Sequence, residues 1–329
     1  MKKFGLRAMA LGFVALMSVA PMMAQQESKA SPQMEFVKAA TKQMIDQGFA
    51  AKFDGSIDPM QLRRTVQMAQ EQMPTEPNVE FIPETLAGIE AELSMPQGAR
   101  EDGILIYIHG GGLICGNAQS SRGYASLLAG ETKLPVYSFT YRLAPEDKFP
   151  AAVDDSFEFY KAVLAKYPGK PVFLLGESGG AYLSIVTAMK ARDNGVTLPA
   201  AILLSSPIID MSGTLNRNRP GNKDFTVTPE GIGWLATLYY NPGDEKNPYV
   251  SPYFDDMHGM PPTFLSWDQS ETLAVDCEEL VKKLLAQGVE CHFKSYPDCF
   301  HAFAPIGRNT PESNEVLQNT VRFINAHIK

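Results

Sequence analysis

The stretch VFLLGESGGAYLSIV, residues 172–186, sets a serine among glycines between an apolar run and a helix-forming run. A serine that only closed a turn would not need small residues on both sides. A serine that must stand clear of the backbone would. Gly176-Glu177-Ser178-Gly179-Gly180 fits G-x-S-x-G, and the strand before it with the helix after it is the context that gives the pattern meaning. Such a serine takes strained backbone angles so that Oγ projects above a sheet edge. Side chains two positions away would collide with the turn, so glycine is needed at 176 and 180.

That corner requires a parallel sheet, and the rest of the chain supplies one. Residues 78–82 and 89–95 read as an antiparallel opening pair, and 104–108 as a strand buried on both faces. Strands over 136–141, 172–175, 200–205, 263–267 and 290–296 follow. Helical stretches separate most of them, over 121–132, 152–166, 181–194, 275–287 and 314–327. The alternation predicts an α/β fold: a mostly parallel central sheet of about eight strands flanked by helices, with right-handed crossovers.

Two pieces stand outside the alternation. Ser31-Pro32 and Asp58-Pro59 each cap a helix with proline at its first position. Phe36, Ala40 and Met44 share helical spacing in the first, which Gly48 stops. Leu62, Val66, Ala69 and Met73 share a face in the second. Both helices precede any strand and are expected to form part of a helical cap. Met34, Met44, Met60, Met68 and Met73 offer either plain packing or an adaptable acyl-pocket lining. Residues 211–260 are too long for a loop and hold a capped helix, Thr228-Pro229-Glu230, with Ile232, Leu235 and Tyr239 inward. Long insertions of this kind are usually functional, and this one is expected to complete the cap.

A serine hydroxyl is a weak nucleophile at neutral pH. It needs a base, and the base needs an acid to fix its tautomer. Of five histidines, His109 lies in a glycine run, His258 in the insertion, His292 in a strand and His327 in the last helix. Only His301, in YPDCFHAF, sits in a loop just past a strand, where parallel-sheet enzymes gather their active groups. The acid should follow the preceding strand. PPTFLSWDQSETLAVD offers Asp268, Glu271 and Asp276; the last falls inside a helix, and composition does not choose between the other two. His109-Gly110-Gly111-Gly112 follows strand 104–108. Its glycines allow the N–H groups of Gly111 and Gly112, with that of Gly179, to converge on an oxyanion, where each donor is worth ~3 kcal/mol. A phosphate loop is the competing reading, but no Lys-Ser/Thr follows and no GxGxxG is present.

The N-terminus reads as a leader. Lys2, Lys3 and Arg7 form a basic start, residues 6–20 are almost wholly apolar, and Ala20 and Ala24 offer cleavage points. Pro21 disfavours the first, so cleavage near Ala24 and a periplasmic or secreted location are expected. The run is shorter than the ~20 residues of a membrane span, and no cysteine follows it to carry a lipid. Leader removal takes the formal charge from −8 to −11, since three cations and no acids depart. That acidity argues against nucleic acid as a partner. Cys115, Cys277, Cys291 and Cys299 show no CxxC or zinc spacing. They fit four free thiols or a single disulfide of undetermined pairing.

HGGGLICG (109–116), YRLAPEDKFPAAVDD (141–155), GESGGAYL (176–183) and YPDCFHAF (296–303) together resemble the hormone-sensitive-lipase-like branch of the α/β-hydrolases. The resemblance runs from about residue 78 to the end. With the leader (1–24) set aside, it implies N-terminal cap helices (25–77) and a catalytic domain (78–329) carrying the 211–260 cap insertion. Laid on the family's P-P-x-hydrophobic strand and acid turn, PPTFLSWDQSETL puts Glu271 at the acid position, where Asp is usual, with Asp268 as runner-up. Asp147 also departs from the family, where histidine is common. Glu177 corresponds to a buried acid that supports the turn, and Tyr141, Arg142 and Asp154 to scaffold. The implied activity is a serine carboxylesterase acting on short-acyl, acetyl-type esters with no metal or cofactor. A small ester or acylated carbohydrate is the expected partner, and no stable membrane association remains after leader cleavage. A homodimer is among the states it allows. An amidase, peptidase or arylformamidase-like hydrolase would use the same triad. A ligand-binding protein on this fold would have lost the serine or histidine.

Overall fold

The computed structural model describes residues 29–328; the leader assigned to residues 1–24 lies outside them. The chain opens with α1 (Pro32–Asp46) and α2 (Pro59–Glu71). It continues as β1 (Val79–Leu86), β2 (Ile89–Pro96), β3 (Ile104–Ile108), α3 (Arg122–Thr132), β4 (Val136–Phe139), α4 (Ala151–Lys166), β5 (Val172–Glu177), α5 (Gly179–Asp193) and β6 (Ala201–Ser205). After α6 (Pro229–Tyr239) come β7 (Thr263–Asp268), α7 (Ala274–Ala286), β8 (Cys291–Tyr296) and α8 (Pro311–His327). The eight strands make one sheet in the order β1-β2-β4-β3-β5-β6-β7-β8. The β1–β2 and β2–β4 pairs are antiparallel and the rest parallel.

Four helix starts have a local cause. The side chains of Ser31, Asp58, Thr228 and Thr310 accept first-turn N–H groups, and each is followed by proline. Such caps contribute about 1 kcal/mol apiece. The Thr310-Pro311 cap starts α8 three residues before the periodicity suggested.

The central strands β3 to β7 are buried on both faces. Ile104, Ile106 and Ile108 pack into one apolar cluster, with Phe139, Phe159 and Tyr182. Leu105 and Tyr107 turn to the other, with Phe173, Phe264 and Phe323. Each large apolar side chain so buried contributes roughly 1.5–3 kcal/mol, which is why the strands read as continuous apolar runs.

One expectation is corrected in α1. Its apolar stripe faces out, with Phe36 75% exposed and Met44 also exposed, while Met34 and Lys38 turn inward. The charged residue wins the inner position because it is paired there. Lys38 Nζ donates to the backbone oxygen of Asp298 at 2.7 Å and lies 3.0 Å from its carboxylate and 2.9 Å from that of Glu35. Ser31 meets the Glu312 carboxylate through both its N–H and its hydroxyl. Helix α1 therefore braces the loop after β8. In α2, Leu62 and Val66 are buried as their spacing implied. Arg63 reaches across to the carbonyls of Ile114 and Ala144 and to Glu146.

The two cap pieces meet. Phe53 N–H donates to Thr226 O (2.7 Å), and Thr228 N–H donates to Phe53 O (3.1 Å). Gly231 is glycine for this reason: a Cβ there would lie 1.8 Å from Phe53 O. Within the insertion, Arg217 is buried against Asp276 of α7, Nη2–Oδ1 2.7 Å, and Asp276 also accepts the N–H groups of Ile209 and Asp210. The four cysteines are free, and Cys115, Cys277 and Cys299 are buried.

Candidate active site

The corner after β5 has the geometry its glycines imply. Ser178 sits at φ 52°, ψ −121°, between the last strand residue and the first helical one. A Cβ on Gly176 would stand 2.4 Å from the Gly180 carbonyl, and one on Gly180 would stand 1.9 Å from Ile108 O. Strand register brings the other parts to this corner. Ile108 of β3 lies opposite Gly176 of β5, so the glycine run 110–112 emerges beside Ser178. Asp268 of β7 lies opposite Tyr296 of β8, so the turn holding Glu271 emerges beside the loop holding His301. These strand ends share the carboxyl edge of the sheet, where α/β ligand sites form.

Ser178 Oγ and His301 Nε2 are 2.9 Å apart. On the far side of the ring, His301 Nδ1 is 3.5 Å from Glu271 Oε1. That is longer than a hydrogen bond, and neither atom has another partner among the described residues. Such contacts are often long without substrate and tighten in the reacting complex. Glu271 Oε2 accepts the Ser206 hydroxyl at 2.8 Å, and Ser206 Oγ accepts the Ala302 N–H at 3.1 Å, so one buried serine ties the acid to the histidine loop. Asp268 does something different. Its carboxylate accepts the Cys299 N–H (3.0 Å) and the Ser270 hydroxyl (2.7 Å), which anchors the loop without facing the imidazole. Of the two acids left open by composition, the structure brings Glu271 to His301.

Electrostatics follow from burial and pairing. Burial alone would lower the His301 pKa; the adjacent Glu271 carboxylate overcomes it and raises the group above its ordinary value. Glu177 is pushed up to about 7 by burial, partly offset by the Gly110 N–H that it accepts at 2.7 Å. This bond holds the start of the glycine run. His109 is lowered to about 4 by burial, against a pull from the Gly110 carbonyl. It stacks on Tyr141 at 4.3 Å in the interior.

The N–H groups of Gly111, Gly112 and Gly179 pair with no other described residue. Gly111 has φ 107°, and a Cβ there would lie 2.6 Å from Cys115 O. A chamber of about 310 Å³ opens above, lined by Gly111, Gly112, Ser178 and His301 together with Phe53 and Leu235. Met73 lines it too. Met34 is buried elsewhere, and Met44, Met60 and Met68 face outward, so the methionine lining reduces to one residue. Arg142 pairs with Asp155 and Asp154 with Lys190, outside the chamber. Nothing in the structure explains the aspartate at 147. No group of His, Cys, Asp and Glu suited to a metal occurs among the described residues. Nor is any described helix long and apolar enough to cross a membrane.

A family model described as alpha/beta hydrolase fold matches residues 105–305. The chain belongs to the α/β-hydrolase family. The hydrolase is 28% identical over 274 residues to an esterase of Acinetobacter venetianus, covering 82% of this chain and 89% of that one. It is 32% identical over 231 residues to an acetyl-hydrolase of Streptomyces hygroscopicus, covering 69% and 77%. Among solved structures it is similar to an esterase from the bacterial hormone-sensitive lipase family, with a TM-score of 0.83, 28% identity and coverage of 92% of this chain and 100% of that one. These likenesses assign the hydrolase to the hormone-sensitive-lipase-like esterase branch.

Sequence reasoning missed Ser206, Lys38 and Asp224. The carboxylate of Asp224, in the insertion, accepts the Thr272 N–H at 3.0 Å beside Glu271. Only the long-range pairing of strands and cap brings these residues to the site. Ser205-Ser206 after a strand was the one local hint.

Proposed function

We propose that this hydrolase is a serine carboxylesterase for short-acyl esters. The observation that carries the proposal is the 2.9 Å contact between Ser178 Oγ and His301 Nε2, with a buried carboxylate on the other ring nitrogen. Ser178 Oγ attacks the ester carbonyl carbon while His301 Nε2 takes its proton. Glu271 holds the ring with Nδ1–H toward itself and stabilises the imidazolium that forms. The carbonyl oxygen, now negative, is held by the N–H groups of Gly111, Gly112 and Gly179, each contributing ~3 kcal/mol to lowering the barrier. As the C–O bond breaks, His301 returns the proton to the leaving alcohol. Water, deprotonated by the same nitrogen, then attacks the acyl-enzyme and frees the acid and Ser178. Besides the substrate and that water, these steps use the side chains and N–H groups named above.

The name of the Streptomyces relative supports an acetyl-type acyl group. The leader pattern of residues 1–24 supports work outside the cytoplasm, on a small ester or an acylated carbohydrate. The experiment is hydrolysis of short-chain nitrophenyl esters and of matched anilides by the wild type and by Ser178→Ala. The proposal expects ester turnover that falls by at least about 10³-fold in the variant. Turnover unchanged in Ser178→Ala would refute it, and faster anilide than ester cleavage would make the protein an amidase.

A further inference from the structure

Two spaces of very different size meet at Ser178. One is the chamber of about 310 Å³ described above, and His301 is part of its lining. The other is a slot of about 20 Å³ between Gly112, Ser178 and Gly179 on one side and Ile208, Met211 and Tyr239 on the other; His301 does not line it. A volume that small holds about one water or one methyl group.

We propose that the acyl tail occupies the slot and the alcohol occupies the chamber, so that Met211 sets the acyl-length limit. This rests on the serine-esterase reading and deepens it. Once the substrate oxygen is fixed by the glycine N–H groups, two substituents remain on the tetrahedral carbon. The leaving oxygen must lie within reach of His301 Nε2, because that nitrogen protonates it. The alcohol therefore extends into the space that His301 lines, and the acyl tail into the one that it does not. The substrate class follows: formyl and acetyl esters of alcohols large enough to use an apolar chamber with Phe53, Val66 and Leu235 in its walls.

The far wall of the slot is thin. Met211, Ile232 and Ala236 line both the slot and an open groove of about 630 Å³ on the outer side of the insertion. Met211 is buried, and its backbone is pinned independently of its side chain. Its N–H donates to Ser251 Oγ at 2.9 Å, and its carbonyl accepts the Tyr240 hydroxyl at 2.9 Å. Trimming the side chain keeps those anchors and joins the slot to the groove.

The test is a pair of length series with nitrophenyl and alkyl esters. In the wild type, kcat/KM should fall by at least about 100-fold from acetyl to hexanoyl, whereas enlarging the alcohol of an acetyl ester from methyl to naphthyl should not lower it. In Met211→Ala, the hexanoyl-to-acetyl ratio of kcat/KM should rise by about 10-fold or more. Met73→Ala, which enlarges only the chamber, should leave that ratio unchanged. A wild type that accepts long acyl groups but rejects bulky alcohols would overturn the assignment. So would a ratio raised by Met73→Ala and not by Met211→Ala. If Met211→Ala does not fold, the wild-type series decides alone. Ser178-dependent hydrolysis with reversed length preferences would sink this inference and leave the esterase reading intact; absence of Ser178-dependent hydrolysis would sink that reading itself.

Discussion

At the scale of single residues, the site turns on how two carboxylates divide their work. Glu271 faces the imidazole and Asp268 holds the Cys299 N–H. Glu271→Gln should therefore lower kcat by about 10²–10⁴-fold, the range expected when general-base catalysis is impaired. Asp268→Asn should cost far less, since an amide oxygen still accepts the Cys299 N–H. A larger loss for Asp268→Asn would reverse the assignment. The pH profile gives a second readout. The base works as neutral imidazole, and Glu271 raises the His301 pKa, so kcat/KM should rise with pH through a midpoint above 6.5. In Glu271→Gln the raising charge is gone and burial remains, so the residual acid limb should shift to lower pH. A limb that stays in place would mean that Glu271 does not act on the ring. The sequence made Ser178 and His301 legible because their signals are local: a glycine box on a strand–helix corner, and a histidine just past a strand. It left the acid open because both candidates lie within one turn of the same strand end, and only the side-chain directions separate them.

At the scale of elements, the two buried charges of the cap have the clearest consequences. Lys38 joins α1 to Asp298, three residues before His301. Lys38→Met should keep the apolar stem in place but release the loop. The expected result is a several-fold fall in kcat with little change in KM and a smaller shift in thermal midpoint. An unchanged kcat would reduce α1 to a packing element. Asp276→Ala should act on stability. It leaves the Arg217 guanidinium buried without its partner and two backbone N–H groups unmet, a loss of about 3–5 kcal/mol. Urea unfolding measures it, and a loss below 1 kcal/mol would contradict the burial of that pair. These elements also mark where periodicity misleads. The Phe36–Ala40–Met44 stripe has helical spacing, yet it points outward because Lys38, on another face, finds two acids to pair with. Hydrophobic spacing located the helix and misjudged its inner face, since an ion pair across a span of 260 residues leaves no local trace.

At the scale of the whole molecule, the sheet was legible because its central strands are short apolar runs, such as Ile104–Ile108, that must be buried on both sides. Strand order was not, since β3, β4 and β5 are placed by crossovers and not by anything in their composition. The order matters: β3 and β5 are neighbours, and that adjacency brings the Gly110–Gly112 backbone and Ser178 together. The fold can then be viewed as a frame that delivers four loops to one sheet edge, closed by a cap whose halves pair through Phe53 and Thr226. The central claim, that Ser178 forms a covalent acyl-enzyme at that edge, is tested most directly by intact-protein mass spectrometry. The protein is incubated with an alkyl fluorophosphonate or trapped with a slowly deacylating ester, and the adduct is mapped by peptide. One adduct per chain, on Ser178 and absent from Ser178→Ala, is the predicted result. An adduct on another residue, or ester hydrolysis that persists in Ser178→Ala, would contradict the account.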